Sequence, residues 1–192
     1  MDFHLTEEHR LIQETARRFA VNEIAPVAAE YDREEKYPVE ICQKAAEVGL
    51  LGPTIPEEYG GPGYGFFEQA LISEELSRVD LGVGQCIESR SFGSQLIQFF
   101  GSEEQKQRWL PPLVVGEMVS AGAFTEPDAG TDVAAARTKA VQEGDEFVIT
   151  GNKMFITNGT ICDYYMVLCV TDPEAGKTHA RQSIVIVEAD RP

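Results

Sequence analysis

The hydrophobic period of this chain changes near residue 117, and that change limits its fold more than any other feature. Before it, apolar residues recur at helical spacing between helix caps; after it, short runs follow the two-residue period of strands. The reading is an α+β chain: an all-α helical domain over residues 1–117, then an incomplete antiparallel β-barrel or sandwich over residues 118–192. No repeat, low-complexity tract or flexible linker separates the two parts, so they are expected to pack directly.

In the helical part, Thr6 is an N-cap with Glu7 and Glu8 in the first turn, and Leu11, Ile12, Ala16, Phe19 and Ala20 share a face. Pro38 opens a second helix, with Ile41, Ala45 and Val48 as its buried face and Gly49 as its stop. The Gly- and Pro-rich stretch 52–65 shows only that the chain turns sharply. Helices then fit residues 66–78 and roughly 81–100. Ser102-Glu103-Glu104-Gln105 is a capping box whose helix runs to about Leu110, where Pro111-Pro112 ends it; Trp109 is expected in the core.

Candidate strands are 119–124, 137–142, 147–150, 153–156, 164–171 and 183–188. Glu143-Gly144-Asp145, Gly151-Asn152 and Asn158-Gly159 supply the turns. The strongly apolar Ile184-Val185-Ile186-Val187 is followed by five residues ending in Pro192, so the β domain reads as interrupted, with a sheet edge uncovered.

Charge narrows the partners. Asp and Glu total 32 against 16 Lys and Arg, a net charge of −16, which argues against nucleic acid or an anionic membrane. A phosphate-bearing ligand must therefore meet local basic groups or backbone N–H donors. Ordinary surface solvation and adaptation to a salt-rich cytoplasm both fit the acidity; ten arginines to six lysines lean towards the second. No apolar run approaches the roughly 20 residues of a membrane span. The stretch from Met1 to His9 is acidic and polar, unlike a signal or transit peptide, so a cytoplasmic location is expected. Cys42, Cys86, Cys162 and Cys169 form no CxxC pair and read as small buried hydrophobes, while His4, His9 and His179 are too scattered to suggest a metal.

Two polar, glycine-rich turns carry the chemistry. The first is Gly122-Ala123-Phe124-Thr125-Glu126-Pro127-Asp128-Ala129-Gly130-Thr131-Asp132. Gly130 lets the backbone come close to a ligand, and main-chain N–H groups with Thr131 offer donors suited to phosphate. Thr125, at a strand end, is placed to meet a planar, hydrogen-bonding ring. Alone, the segment also reads as a surface turn with Asp132 capping the stretch after it. The second is Gly151-Asn152-Lys153-Met154-Phe155-Ile156-Thr157-Asn158-Gly159. If it closes a strand, Phe155 and Thr157 address one face and Ile156 the other. It also fits an ordinary hairpin with an Asn-Gly turn.

Together these turns resemble the flavin-contacting stretches of the acyl-CoA dehydrogenase family. The resemblance runs through Leu5-Thr6-Glu7-Glu8, Pro56-Glu57-Glu58-Tyr59-Gly60-Gly61 and Gly101-Ser102-Glu103-Glu104-Gln105-Lys106, in the family's order and separation. It implies a helical domain, a middle β domain and a further helical bundle, the last absent from this chain. It implies FAD, with Phe124, Thr125, Gly130 and Thr131 lining the flavin and its pyrophosphate. Phe155, Ile156 and Thr157 then lie against the isoalloxazine, Thr157 near N5, and Thr131 also contacts the coenzyme A part of the substrate. Family members often have Trp where Phe155 stands and Ser where Thr131 stands, changes that keep the chemical type.

The implied reaction is α,β-dehydrogenation of an acyl-CoA to the enoyl-CoA. A glutamate base takes the α-proton, the β-hydride passes to N5, and an electron-transfer flavoprotein reoxidises the flavin. The family is usually homotetrameric. Its base lies in the later bundle and no residue here matches that motif. Glu126 is accordingly read as a structural loop acid, no catalytic residue is assigned, and the chain alone is expected to be inactive. An acyl-CoA oxidase or flavin monooxygenase of the same fold, or a non-catalytic binding module, stays open. Dicarboxylyl-CoA members such as glutaryl-CoA dehydrogenase carry a basic side chain at the position aligned with Gly84, so a mono-carboxylic acyl chain is expected.

Overall fold

The structure, a computed structural model, describes residues 4–191, with the side chains of residues 178 and 179 left aside. Readings that rest on Met1-Asp2-Phe3, on the His179 side chain or on Pro192 lie outside it. The chain forms two compact units that part between Met118 and Val119.

The first unit holds α1 (Glu7–Phe19), α2 (Ala28–Glu34), α3 (Val39–Glu47), α4 (Phe66–Val79), α5 (Leu81–Ser89), α6 (Ser94–Phe100) and α7 (Glu103–Val114). Thr6 caps α1 as expected, but the reciprocal partner is a histidine. The Thr6 hydroxyl accepts the His9 N–H at 3.1 Å, and His9 Nδ1 accepts the Thr6 N–H at 3.3 Å. With Nδ1 accepting, Nε2–H donates to Glu68 on α4 at 2.8 Å. Further along the same pair of helices, Arg17 grips the buried Glu75 through both carboxylate oxygens, at 2.8 and 2.6 Å. The Arg17 hydrogen bonds hold that carboxyl below its usual range against the opposing effect of burial.

Ile12, Ala16, Phe19 and Ala20 join Ile41, Cys42, Ala45, Ile72, Leu76, Val83 and Ile87 in one core. Leu11 and Val48 do not; both are exposed, at the margin of faces that helical spacing draws too wide. Helix α2 buries no residue, which is why hydrophobic spacing does not reveal it. The helix expected over 81–100 is two, broken before Gly93, whose φ of +82° no regular helix accommodates. Helix α7 keeps the expected capping box, at 2.9 and 3.2 Å, yet runs through Pro111 and Pro112 to Val114. The prolines remove two backbone donors, and burial of Trp109, Leu110, Leu113 and Val114 offsets that loss.

The second unit is a five-stranded sheet of β1 (Ser120–Ala123), β2 (Lys139–Glu143), β3 (Glu146–Thr150), β4 (Tyr164–Val170) and β5 (Gln182–Glu188). Strand β4 is the centre, and its sequence YYMVLCV is the unbroken apolar run of a strand covered on both faces. Along one edge it pairs antiparallel with all of β5; along the other it meets β1 and then β2, both parallel. The sheet is therefore mixed, where the sequence reading expects antiparallel pairing throughout. Residues 153–156 form no strand. Phe155 sits at φ +58°, which breaks the two-residue alternation. The chain thus reaches β4 through turns instead of a hairpin, and the parallel β1–β4 pair results.

Candidate functional site

Strand β1 delivers the chain into the first turn at Phe124, which is half-buried against Ala129, Ala136 and Leu168. The backbone then closes on itself: the Glu126 N–H bonds Ala129 O at 2.9 Å and the Ala129 N–H bonds Glu126 O at 3.2 Å. Pro127, with its fixed φ, takes the position after Glu126 where such turns favour it. Gly130 and Thr131 lie exposed beyond the turn. Gly130 lacks a left-handed backbone, and a Cβ added there meets no protein atom within 4 Å. Nothing in the protein's own packing requires glycine at this position, so the open space is available to a ligand.

The second turn is held against the first. At Gly151 the chain crosses residue 138 so closely that an added Cβ would lie 2.7 Å from Thr138 Cα. Lys153 Nζ then donates to Phe124 O at 3.0 Å and to Glu126 Oε1 at 2.8 Å, while the Met154 N–H donates to Thr125 O at 3.0 Å. Glu126 also accepts the Arg137 N–H at 2.7 Å and the Thr138 N–H at 2.9 Å. Burial pushes its pKa up, but the Lys153 ammonium and these N–H donors outweigh burial and hold it at about 2. The acid is thus fully engaged within the protein, in keeping with its reading as a structural loop acid.

Past this junction Phe155 presents a ring that is 84% exposed. Ile156 packs inward beside the clusters that include Ala121, Ala123 and Cys162, and Thr157 is exposed. Asn158, also left-handed at φ +65°, ties the turn down: its carbonyl accepts the Ile161 and Cys162 N–H groups, each at 2.9 Å, and its amide donates to Ser120 O at 3.2 Å. Tyr165 OH on β4 bonds Gly159 O at 2.6 Å.

Of the residues singled out in the sequence, Phe124 and Thr125 are joined directly to the backbone and side chain just ahead of Phe155. Gly130 and Thr131, like Phe155 and Thr157, sit outward on their own turns. The alternation argument for Phe155 and Thr157 fails with the missing strand; a left-handed backbone, not a strand end, exposes the Phe155 ring. The sequence motifs contain Lys153 and Met154 but assign them no role; an acid in one motif and a lysine in the other are the signal that points to their pairing.

Comparison with known proteins agrees with this layout. Residues 6–117 match the acyl-CoA dehydrogenase N-terminal domain and residues 121–192 the acyl-CoA dehydrogenase middle domain. The short-chain-specific acyl-CoA dehydrogenase of Clostridium acetobutylicum is 43% identical over 177 residues, 92% of this chain and 47% of that protein. A chain in a structure of the electron transferring flavoprotein of Acidaminococcus fermentans superposes with a TM-score of 0.92 at 40% identity, covering 100% of this chain and 50% of that one. A glutaryl-CoA dehydrogenase from Mycobacterium smegmatis, in complex with FADH2, gives 0.86 at 31%, covering 98% and 47%. The chain spans about half the length of the curated relatives it matches.

Proposed function

The chain belongs to the acyl-CoA dehydrogenase family, and from that premise we propose that its two turns are the FAD-binding surface of an acyl-CoA α,β-dehydrogenase. One observation carries the reading: the turns, 28 residues apart from Thr125 to Lys153, are bonded into a single unit by Lys153 and Met154. Their residue types suit the cofactor. Open space over Gly130, with the Thr131 hydroxyl beside it, fits a pyrophosphate; a bare Phe155 ring, with Ile156 and the Thr157 hydroxyl, fits a flat heterocycle.

In this role Phe124, Thr125, Gly130 and Thr131 hold the flavin and its pyrophosphate, and Thr131 also meets coenzyme A. Phe155 would give apolar contact to the ring and exclude water there, Ile156 would back the turn from its inner side, and Thr157 would offer its hydroxyl near N5. The chemistry FAD supplies is acceptance of the β-hydride from an acyl-CoA as a base takes the α-proton. An electron-transfer flavoprotein as oxidant and a homotetramer complete the proposal; the likeness to a chain solved with such a flavoprotein supports the first. A mono-carboxylic acyl group is favoured because Gly84 is packed against α4. A Cβ there would stand 3.2 Å from Ser77 N and Leu76 C, and glycine supplies no basic group for a distal carboxylate.

The test is titration of the purified chain with FAD, monitored by quenching of flavin fluorescence. A saturable change is expected, with weak affinity because the chain spans about half the length of its relatives. If emission falls only as dilution requires, the two turns are not a flavin site.

A further inference from the structure

Lys153 and Glu126 form a salt bridge that is almost closed to solvent, with side chains 11% and 7% exposed. The ammonium belongs to the second turn, yet both of its hydrogen bonds reach the first, at Phe124 O and Glu126 Oε1. The carboxylate extends the link to the chain entering β2, through the N–H groups of Arg137 and Thr138. A single buried pair therefore connects three stretches of backbone. A buried pair of this kind contributes little net stability over an apolar pair of similar volume, because desolvation cancels much of the attraction. What it imposes is geometry: shifting either turn breaks hydrogen bonds of groups that have little access to water in their place. Phe155 lies two residues beyond Lys153, and Thr125 lies between the two residues that Lys153 bonds.

We propose that Lys153 and Glu126 are positioning residues, whose ion pair sets the register between the turn bearing Thr125 and Thr131 and the turn bearing Phe155 and Thr157. This rests on the flavin-binding reading of those turns. Neither residue touches the ring; both act through the backbone that presents Thr125 and Phe155. Loss of the pair loosens the two turns against each other while the β4–β5 ladder, seven paired residues long, stays intact.

The experiment combines amide hydrogen exchange with FAD titration on the wild-type chain and on Lys153→Met, Lys153→Arg, Glu126→Gln and the Glu126→Gln/Lys153→Met double variant. In the apo chain, Lys153→Met should speed exchange at Met154, Arg137 and Thr138 and leave β4 and β5 unchanged. FAD affinity should fall at least about tenfold, Lys153→Arg should recover part of it, and the double variant should lose no more than the worse single variant. Should Lys153→Met fail to fold, Glu126→Gln, which keeps the side chain's shape but turns one of its two acceptor oxygens into a donor, carries the same comparison. Unchanged exchange at Met154, or faster exchange with unchanged FAD affinity, overturns the positioning role and leaves the flavin site standing. Exchange raised evenly over the whole sheet also overturns it, since the pair would then support only the fold. A wild-type chain that does not bind FAD overturns the flavin reading itself before any variant is compared.

Discussion

Glu126 sits in a buried position with its charge intact, because donors at 2.7–2.9 Å replace the water it loses. Its folded pKa of about 2 lies below the roughly 4.3 of an unperturbed glutamate. A depressed carboxylate stabilises the native state fully above its unfolded pKa, and that contribution is lost as pH falls through the folded value. In urea melts, the stability gap between wild type and Glu126→Gln should therefore be widest above about pH 5 and close between there and pH 2. A gap independent of pH would mean that Glu126 owes nothing to its charge. Gly130 allows the opposite kind of test, a change that the protein itself should hardly notice. Its backbone is not left-handed and its Cβ position is open, so Gly130→Ala should leave the melting temperature unchanged or slightly raised. If a pyrophosphate approaches there, the same methyl group should weaken FAD binding by about tenfold or more. Equal FAD affinity in the variant would remove Gly130 from the site.

Elements were legible wherever a local chemical signal decides them. Thr6 and Ser102 announce helix starts through side-chain bonds made within one turn, and Gly49, at φ +73°, marks the end of α3. The sheet strands could be read from β-branched and aromatic runs such as β4 and β5. What was not legible is set by contacts distant in sequence. Helix α2 buries no residue fully, with only Ala28 and Tyr31 half-buried against the core, and so leaves a weak periodic trace; α7 continues through two prolines because four of its side chains are buried. The segment 153–156 looks like a strand by composition. Its backbone is instead placed by Lys153, whose partners lie 27 and 29 residues earlier. The candidate site divides in the same way. Its residue types and the two turns were visible as motifs, whereas the ion pair joining them depends on which acid meets which lysine in space.

At the scale of the whole molecule the dominant quantity is charge. With 32 carboxylates and 16 lysines and arginines, one-to-one pairing of every cation would still leave 32 − 16 = 16 acidic groups unmatched. Several cations are further committed to buried or bidentate partners, as Arg17 is to Glu75 and Lys153 to Glu126, so the outer surface is left with the excess. Like charges spread over a small surface repel one another and favour expansion, and screening relieves that repulsion. The screening length shrinks from about 10 Å at 0.1 M salt to about 3 Å at 1 M, so repulsion between separated surface charges is largely removed over that range. The melting temperature of the chain should therefore rise clearly from dilute buffer to molar KCl. The same series on the Lys153→Met variant separates the surface effect from the buried pair, because a pair almost closed to solvent is screened much less. Both proteins should gain the same increment with salt. A melting temperature flat across the series would show that the acidity is ordinary surface solvation, with no energetic demand for a saline interior.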